Sequence, residues 1–177
     1  MQFLAIVALC VLAAVAYGIL HDQVTARICV EYFTIGHPPI FGTDDPTLLG
    51  LGWGVLATWW VGVMLGIPLA MVARIGKRPK RTAGSLIKPL VVLMAVSAVG
   101  AIVAGVIGAW LASAGIVVLP KPLADEVPTS QHVAFIADLF AHNASYLAGF
   151  IGGGIVMVWV WMGRRRDAER RPATGAN

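Results

Sequence analysis

Four long apolar runs, over residues 3–20, 48–73, 90–118 and 130–163, set the pattern of this chain, and polar residues gather in the segments between them. A helix of about 20 residues crosses the roughly 30 Å hydrocarbon core of a bilayer, so each run is read as a span. The pattern predicts an all-α integral membrane four-helix bundle, N-in and C-in, in one membrane domain. The first run is read as a retained anchor. Ala14-Val15-Ala16 resembles a signal-peptide cleavage site, but no Lys or Arg precedes the run, as a secretory signal normally requires.

Finer features of the runs predict how the helices pack. Gly50/Gly54 and Gly62/Gly66 in the second run, Ala101/Gly105 and Ala104/Gly108 in the third, and Ser145, Gly149 and Gly153 in the fourth are spaced by four. Such spacing gives flat faces on which a neighbouring helix can pack closely. Pro68 is expected to bend the second helix near its inner end. The third run, uncharged from Leu90 to Leu119, is longer than a bilayer needs and must tilt, end early or project. The fourth helix is expected to start near Thr129 or Ser130, with its first turns above the membrane and Asn143 to Gly163 inside it. Trp53, Trp159 and Trp161 suit the headgroup boundary, whereas Trp59 and Trp60 are expected to pack deeper.

Charge orients this arrangement. Eleven of the thirteen Lys and Arg residues lie between Arg74 and Lys88 or after Gly163, where only Asp167 and Glu169 oppose them. All four His and the other seven carboxylates lie on the opposite side, with Arg27 and Lys121. Short loops rich in Lys and Arg stay cytoplasmic, which puts the acidic side outside. There, residues 20–47, residues 120–131 and the start of the fourth helix are expected to form a small extracytoplasmic cap. Residues 164–177 are read as a basic cytoplasmic tail, a frayed helix end followed by disorder. With 58% hydrophobic and 12% charged residues, the chain is far from the roughly 25% charged residues of soluble proteins. Its net charge of +4 therefore points to anionic lipid headgroups, not nucleic acid.

The candidate chemistry is on the histidine side. Asp138, His142 and Tyr146 are spaced by four and form one helix stripe. His21 closes the first run at the depth where His142 enters the fourth, so the two imidazoles face each other if those helices are neighbours. A metal site is drawn from His21, Asp22, Glu31, His37, Asp138 and His142, donors that suit a transition metal without selecting one. Two facing histidines also match haem ligation. The competing reading is a structural polar network, in which Arg27 pairs with Glu31, Asp22 and Gln23 cap backbone groups, and Asp138 extends a solvated face. Asp44 and Asp45 before Pro46 read as turn and capping residues. Cys10 sits midway along the first run and Cys29 in the outer loop, too far apart to suggest a bridge, and Cys29 reads as a partly buried thiol. Ser145 beside His142 lacks an oxyanion hole and any G-x-S-x-G elbow, so the chain is read as non-enzymatic.

His21-Asp22-Gln23, Glu31-Tyr32-Phe33-Thr34 and His142-x-x-Ser145-Tyr146 together resemble motifs of an uncharacterised family of small bacterial inner-membrane proteins. The resemblance covers Tyr17 to Trp161 and implies a polytopic bundle in the inner membrane, with no activity or cofactor to carry over. The leading functional expectation is a protein that binds a partner or small ligand through the six-residue cluster. Alternatives are a metal- or haem-binding redox component, a small transporter, or a scaffold subunit. The partners expected are the bilayer, a second copy of the chain, or another membrane protein. Transport is disfavoured because the runs hold no ionisable group at mid-membrane depth.

Overall fold

The computed structural model describes residues 1–170 and is all-helical, with four helices long and apolar enough to cross a membrane. Helix α1 (Gln2–Ile28) is followed by the short α2 (Val30–Thr34). Helices α3 (Pro46–Leu56) and α4 (Trp59–Arg74) together form the second long segment. Helix α5 (Ile87–Ser113), the short α6 (Leu123–Glu126) and α7 (His132–Glu169) complete the chain. Asp45 caps α3, its Oδ1 accepting from the backbone N–H of Thr47 and Leu48 at 2.9 Å, with Pro46 in the first turn. This is the capping role its sequence context predicts.

The chain forms two antiparallel helical hairpins. Helix α1 packs along α3 and α4, and α5 packs along α7. The hairpins meet chiefly through α4 and α7, and more sparsely elsewhere. Glycine permits the tight contact in the first hairpin. A Cβ on Gly54 would lie 2.6 Å from the Ile19 backbone, and one on Gly62 would lie 2.6 Å from the Val11 Cα. In the second hairpin a Cβ on Gly108 would press on Phe140 at 2.8 Å. The small face of α7 packs in part: a Cβ on Gly153 would lie 3.1 Å from Leu65, whereas Gly149 has no atom within 4 Å of its Cβ position and does not pack as its spacing suggested.

Buried apolar side chains form two clusters, one at each end. Ala26, Cys29, Tyr32, Phe33, Leu49, Phe135 and Ile136 belong to the histidine end. Ile6, Cys10, Leu69, Ala70, Leu86, Val156 and Val160 belong to the opposite, basic end. The helices' outer surfaces are apolar, with residues such as Leu12, Val99, Ile102, Val106 and Ile155 exposed. No membrane-facing polar stripe is needed, because lipid and protein interior are equally apolar.

Several expectations change. Helix α1 continues two turns past Leu20, so His21 and Asp22 are helical residues and not part of a loop. Helix α4 continues through Pro68, and the second segment has a further interruption, at Ala57–Thr58. There the Thr58 hydroxyl donates to the Gly54 carbonyl and the Tyr146 hydroxyl donates to that of Ala57. Side-chain hydroxyls satisfy carbonyls where the helix ladder is broken. Helix α5 ends early, at Ser113. Trp59 and Trp60 are exposed on the apolar surface, because the glycine face of α4 is the one turned inward.

Arg164–Glu169, read as the frayed start of the basic tail, continue α7, with Arg170 at its C-cap; residues 171–177 of that tail lie outside the described residues. Arg164 is 4% exposed, and its guanidinium donates to the carbonyls of Val72, Ile75, Arg78 and Pro79. The last carbonyls of a helix have no intrahelical partner, so Arg164 caps α4 and ties it to α7. Arg81 pairs with Asp167 at 2.9 Å, and Gln2 accepts from the Ala83 N–H at 3.0 Å. The start of α1, the basic connection and the end of α7 therefore share one end of the molecule.

Gly54→Ala is expected to destabilise the protein by about 1–3 kcal/mol, the usual cost of overpacking. Gly149→Ala, which meets open space, should be neutral or slightly stabilising. Thermal unfolding of both variants in mild detergent checks the contrast, and equal melting temperatures would contradict the glycine-dependent contact.

Candidate functional site

Helices α1 and α7 bring His21 and His142 together at the histidine end. Their ring centroids are 4.5 Å apart, with planes at 77°. Asp22 Oδ1 lies 3.2 Å from His142 Nε2, and one donor atom from each of His21, Asp22 and His142 lies within 4.8 Å of the others. Asp22 is 5% exposed. Helix spacing accounts for part of the arrangement. Tyr17 is one turn before His21 and stacks on it at 5.8 Å, while Ser145 follows His142 on α7. Tyr17 Oη and Ser145 Oγ are hydrogen-bonded at 2.8 Å and link the helices just below the histidines.

The hydrogen bonds of His142 fix its chemistry. Nδ1 lies 2.8 Å from the Asp138 backbone carbonyl, which can only accept, so Nδ1 carries a proton. A neutral ring then presents Nε2 as a lone pair, facing a carboxylate oxygen of Asp22. That contact is attractive only when a proton or another cation lies in it. The Nε2 atom of His21 is buried beside this pair with no hydrogen-bond partner among the described residues.

The side chains of the other three residues of the expected cluster fall outside this donor set. His37 donates from Nδ1 to the Tyr32 carbonyl at 2.8 Å and packs on Trp53, with ring centroids 4.6 Å apart. Glu31 accepts from the Cys29 thiol at 3.5 Å. Asp138 contributes its backbone carbonyl to His142, and its side chain is only 1% exposed, with Oδ2 lacking a partner. It does not extend a solvated face. Arg27 donates to the Gln23 carbonyl, Gln23 Oε1 and Thr47 Oγ1, in place of the expected pair with Glu31. Asp22 faces His142 and does not cap the helix. The His21 and His142 rings are in edge contact, which leaves no space for a haem plane between them.

Below the trio, a cavity of about 160 Å³ runs between the two hairpins. Tyr17, His21, Asp22, His142, Ser145 and Tyr146 line its polar head, whereas Leu65, Leu69, Leu93, Val156 and Met157 line its apolar depth. The sequence marked Tyr146 through the stripe and Tyr32 through its motif, but neither the cavity nor the place of Tyr17 in it. Tyr32 stacks on His142 at 4.5 Å. The spacing of Tyr17 and His21, four residues, was the available signal for Tyr17.

Cys10 and Cys29 are free and buried. Burial, reinforced by the carboxylates of Asp138 and Glu31, pushes the Cys29 thiol up to about 12. No family profile, curated protein or solved structure matches this chain.

The thiolate is the form that reacts, and raising the thiol pKa depletes it at neutral pH. In a Cys10→Ala variant, maleimide modification of Cys29 at pH 8 is expected to be on the order of a thousandfold slower in the folded protein than in SDS. The folded-state rate should climb about tenfold per pH unit towards the raised pKa. Equal rates before and after denaturation would contradict the buried placement.

Proposed function

We propose that this is a non-enzymatic, ligand-binding protein of the bacterial inner membrane, a four-span bundle with both termini in the cytoplasm and the histidine end outside. Its ligand is an amphiphile, with the apolar chain between the hairpins and the polar head at His21, Asp22, His142 and Tyr146. The observation that carries this reading is the polarity gradient along one cavity, from ionisable side chains at the head to leucine, valine and methionine below. An apolar cavity of roughly 150 Å³ stays dry and accepts an apolar guest. The open space at Gly149 and the sparse contact between hairpins favour lateral entry from the bilayer. The orientation is supported by the basic residues gathered around the shared end of α1, α4 and α7.

Orientation and ligand are tested separately. In intact cells an impermeant maleimide is expected to label Asp44→Cys, and to label Lys77→Cys only after lysis; the reverse pattern would overturn the topology. Both positions are exposed.

For the ligand, organic extracts of the purified protein are analysed by mass spectrometry. One amphiphile, enriched over its share of the membrane and near one per chain, is expected in the wild type and lost in Gly149→Phe, whose ring fills the cavity. Extracts holding only bulk phospholipid, unchanged by that substitution, would sink the proposal.

A further inference from the structure

We propose that His21, Asp22 and His142 together bind one divalent first-row transition metal ion. The site rests on side-chain geometry at the head of the cavity and stands whether or not an amphiphile occupies the space below.

Three observations lead to a metal. First, the ligand atoms are already near bonding separation. Metal–ligand bonds of about 2.1 Å in tetrahedral geometry put neighbouring donors about 3.4 Å apart, and Asp22 Oδ1 and His142 Nε2 are 3.2 Å apart. His21 completes a set within 4.8 Å, which rotation of its side chain can tighten.

Second, the tautomer of His142 is set for a metal. Metal-bound histidines usually donate their other ring N–H to a carbonyl or carboxylate, which orients the ring and leaves one lone pair for the ion. His142 does this through Nδ1 and the Asp138 carbonyl, and directs Nε2 at Asp22. His21 Nε2, buried and without a partner, is a second donor that protein groups leave unused.

Third, two carboxyl groups are buried at the site. Asp22 and Asp138 are 5% and 1% exposed, and among the described residues neither pairs with a Lys or Arg. Asp138 adjoins the site through its backbone carbonyl, which accepts from His142 Nδ1. Burying two carboxylates without cations is costly. A divalent ion held by His21, Asp22 and His142 supplies a cation to this buried acidic site. Asp138 then acts from outside the ligand set, holding His142 through its backbone carbonyl. Two imidazoles and a carboxylate, with no thiolate, suit the manganese-to-zinc series over Cu(I).

Titration of Co²⁺ into the full-length protein, stripped with chelator in mild detergent, tests the assignment. Visible d–d absorption saturating at one Co²⁺ per chain and abolished by excess Zn²⁺ is expected. His21→Asn and Asp22→Asn should each weaken binding on the order of tenfold or more, with helix content by circular dichroism showing that both remain folded. Glu31→Gln and His37→Asn should leave it unchanged. Failure of the folded wild type to bind Co²⁺ saturably would leave a proton as the only cation of the cluster and overturn the proposal. Equal binding by the His21 and Asp22 variants would identify an adventitious surface site and do the same. Gly149→Phe, which plugs the cavity, should keep the Co²⁺ spectrum, so loss of a bound amphiphile and loss of metal are read independently.

Discussion

Close backbone approach between α1 and the α3–α4 segment is the constraint on which the rest of the structure depends. In a bilayer no hydrophobic force draws helices together, so dispersion and complementary shape must hold them. Gly50, Gly54 and Gly62 remove the side chains that would hold the helices apart. A Cβ on Gly50 would meet the Asp22 backbone at 3.0 Å, so the contact extends to the residue that carries the candidate chemistry. The rotation of α1 about its axis is thereby fixed. With that rotation set, Tyr17, His21 and Asp22 line the space shared with α7.

The second hairpin is joined to the first differently. Apolar clusters join the hairpins at the two ends, and the Arg164 guanidinium bonds carbonyls around the end of α4. Between the ends, Gly149 of α7 lines the cavity with open space at its Cβ position, while Ser145 bonds Tyr17 and Gly153 packs near Leu65. Helix-terminal carbonyls are satisfied by the arginine, and the α3–α4 break is satisfied by hydroxyls, so neither irregularity exposes unpaired backbone to lipid.

The polar cluster gains its character from burial. On a solvated surface, His142 facing Asp22 would be an ordinary ion pair of little worth. Here the same pair sits with a second buried carboxylate and an unpartnered imidazole nitrogen. Each member restricts the options of the next, because fixing one tautomer of His142 leaves Nε2 nowhere to turn except towards Asp22. His21, Asp22 and His142 belong to the cluster and also line the head of the cavity, beside Tyr17.

The sequence by itself determined the four apolar segments, the separation of basic and histidine ends, the Asp45 cap and the glycine faces of α3 and α4. Length, charge and four-residue spacing are local properties, readable without knowing which helices touch. It also placed His21 and His142 at one depth. Only the tertiary structure decided that these two meet, that Asp22 joins them, and that Glu31 and His37 do not. It alone decided that Arg164 caps α4, that the second segment breaks at Thr58, and that Trp59 and Trp60 face outward. The physical reason is that a membrane helix is apolar on its lipid side and its protein side alike, so periodicity cannot reveal which face turns inward. That rotation is set by close packing with other helices, and the cavity and its histidine head follow from it.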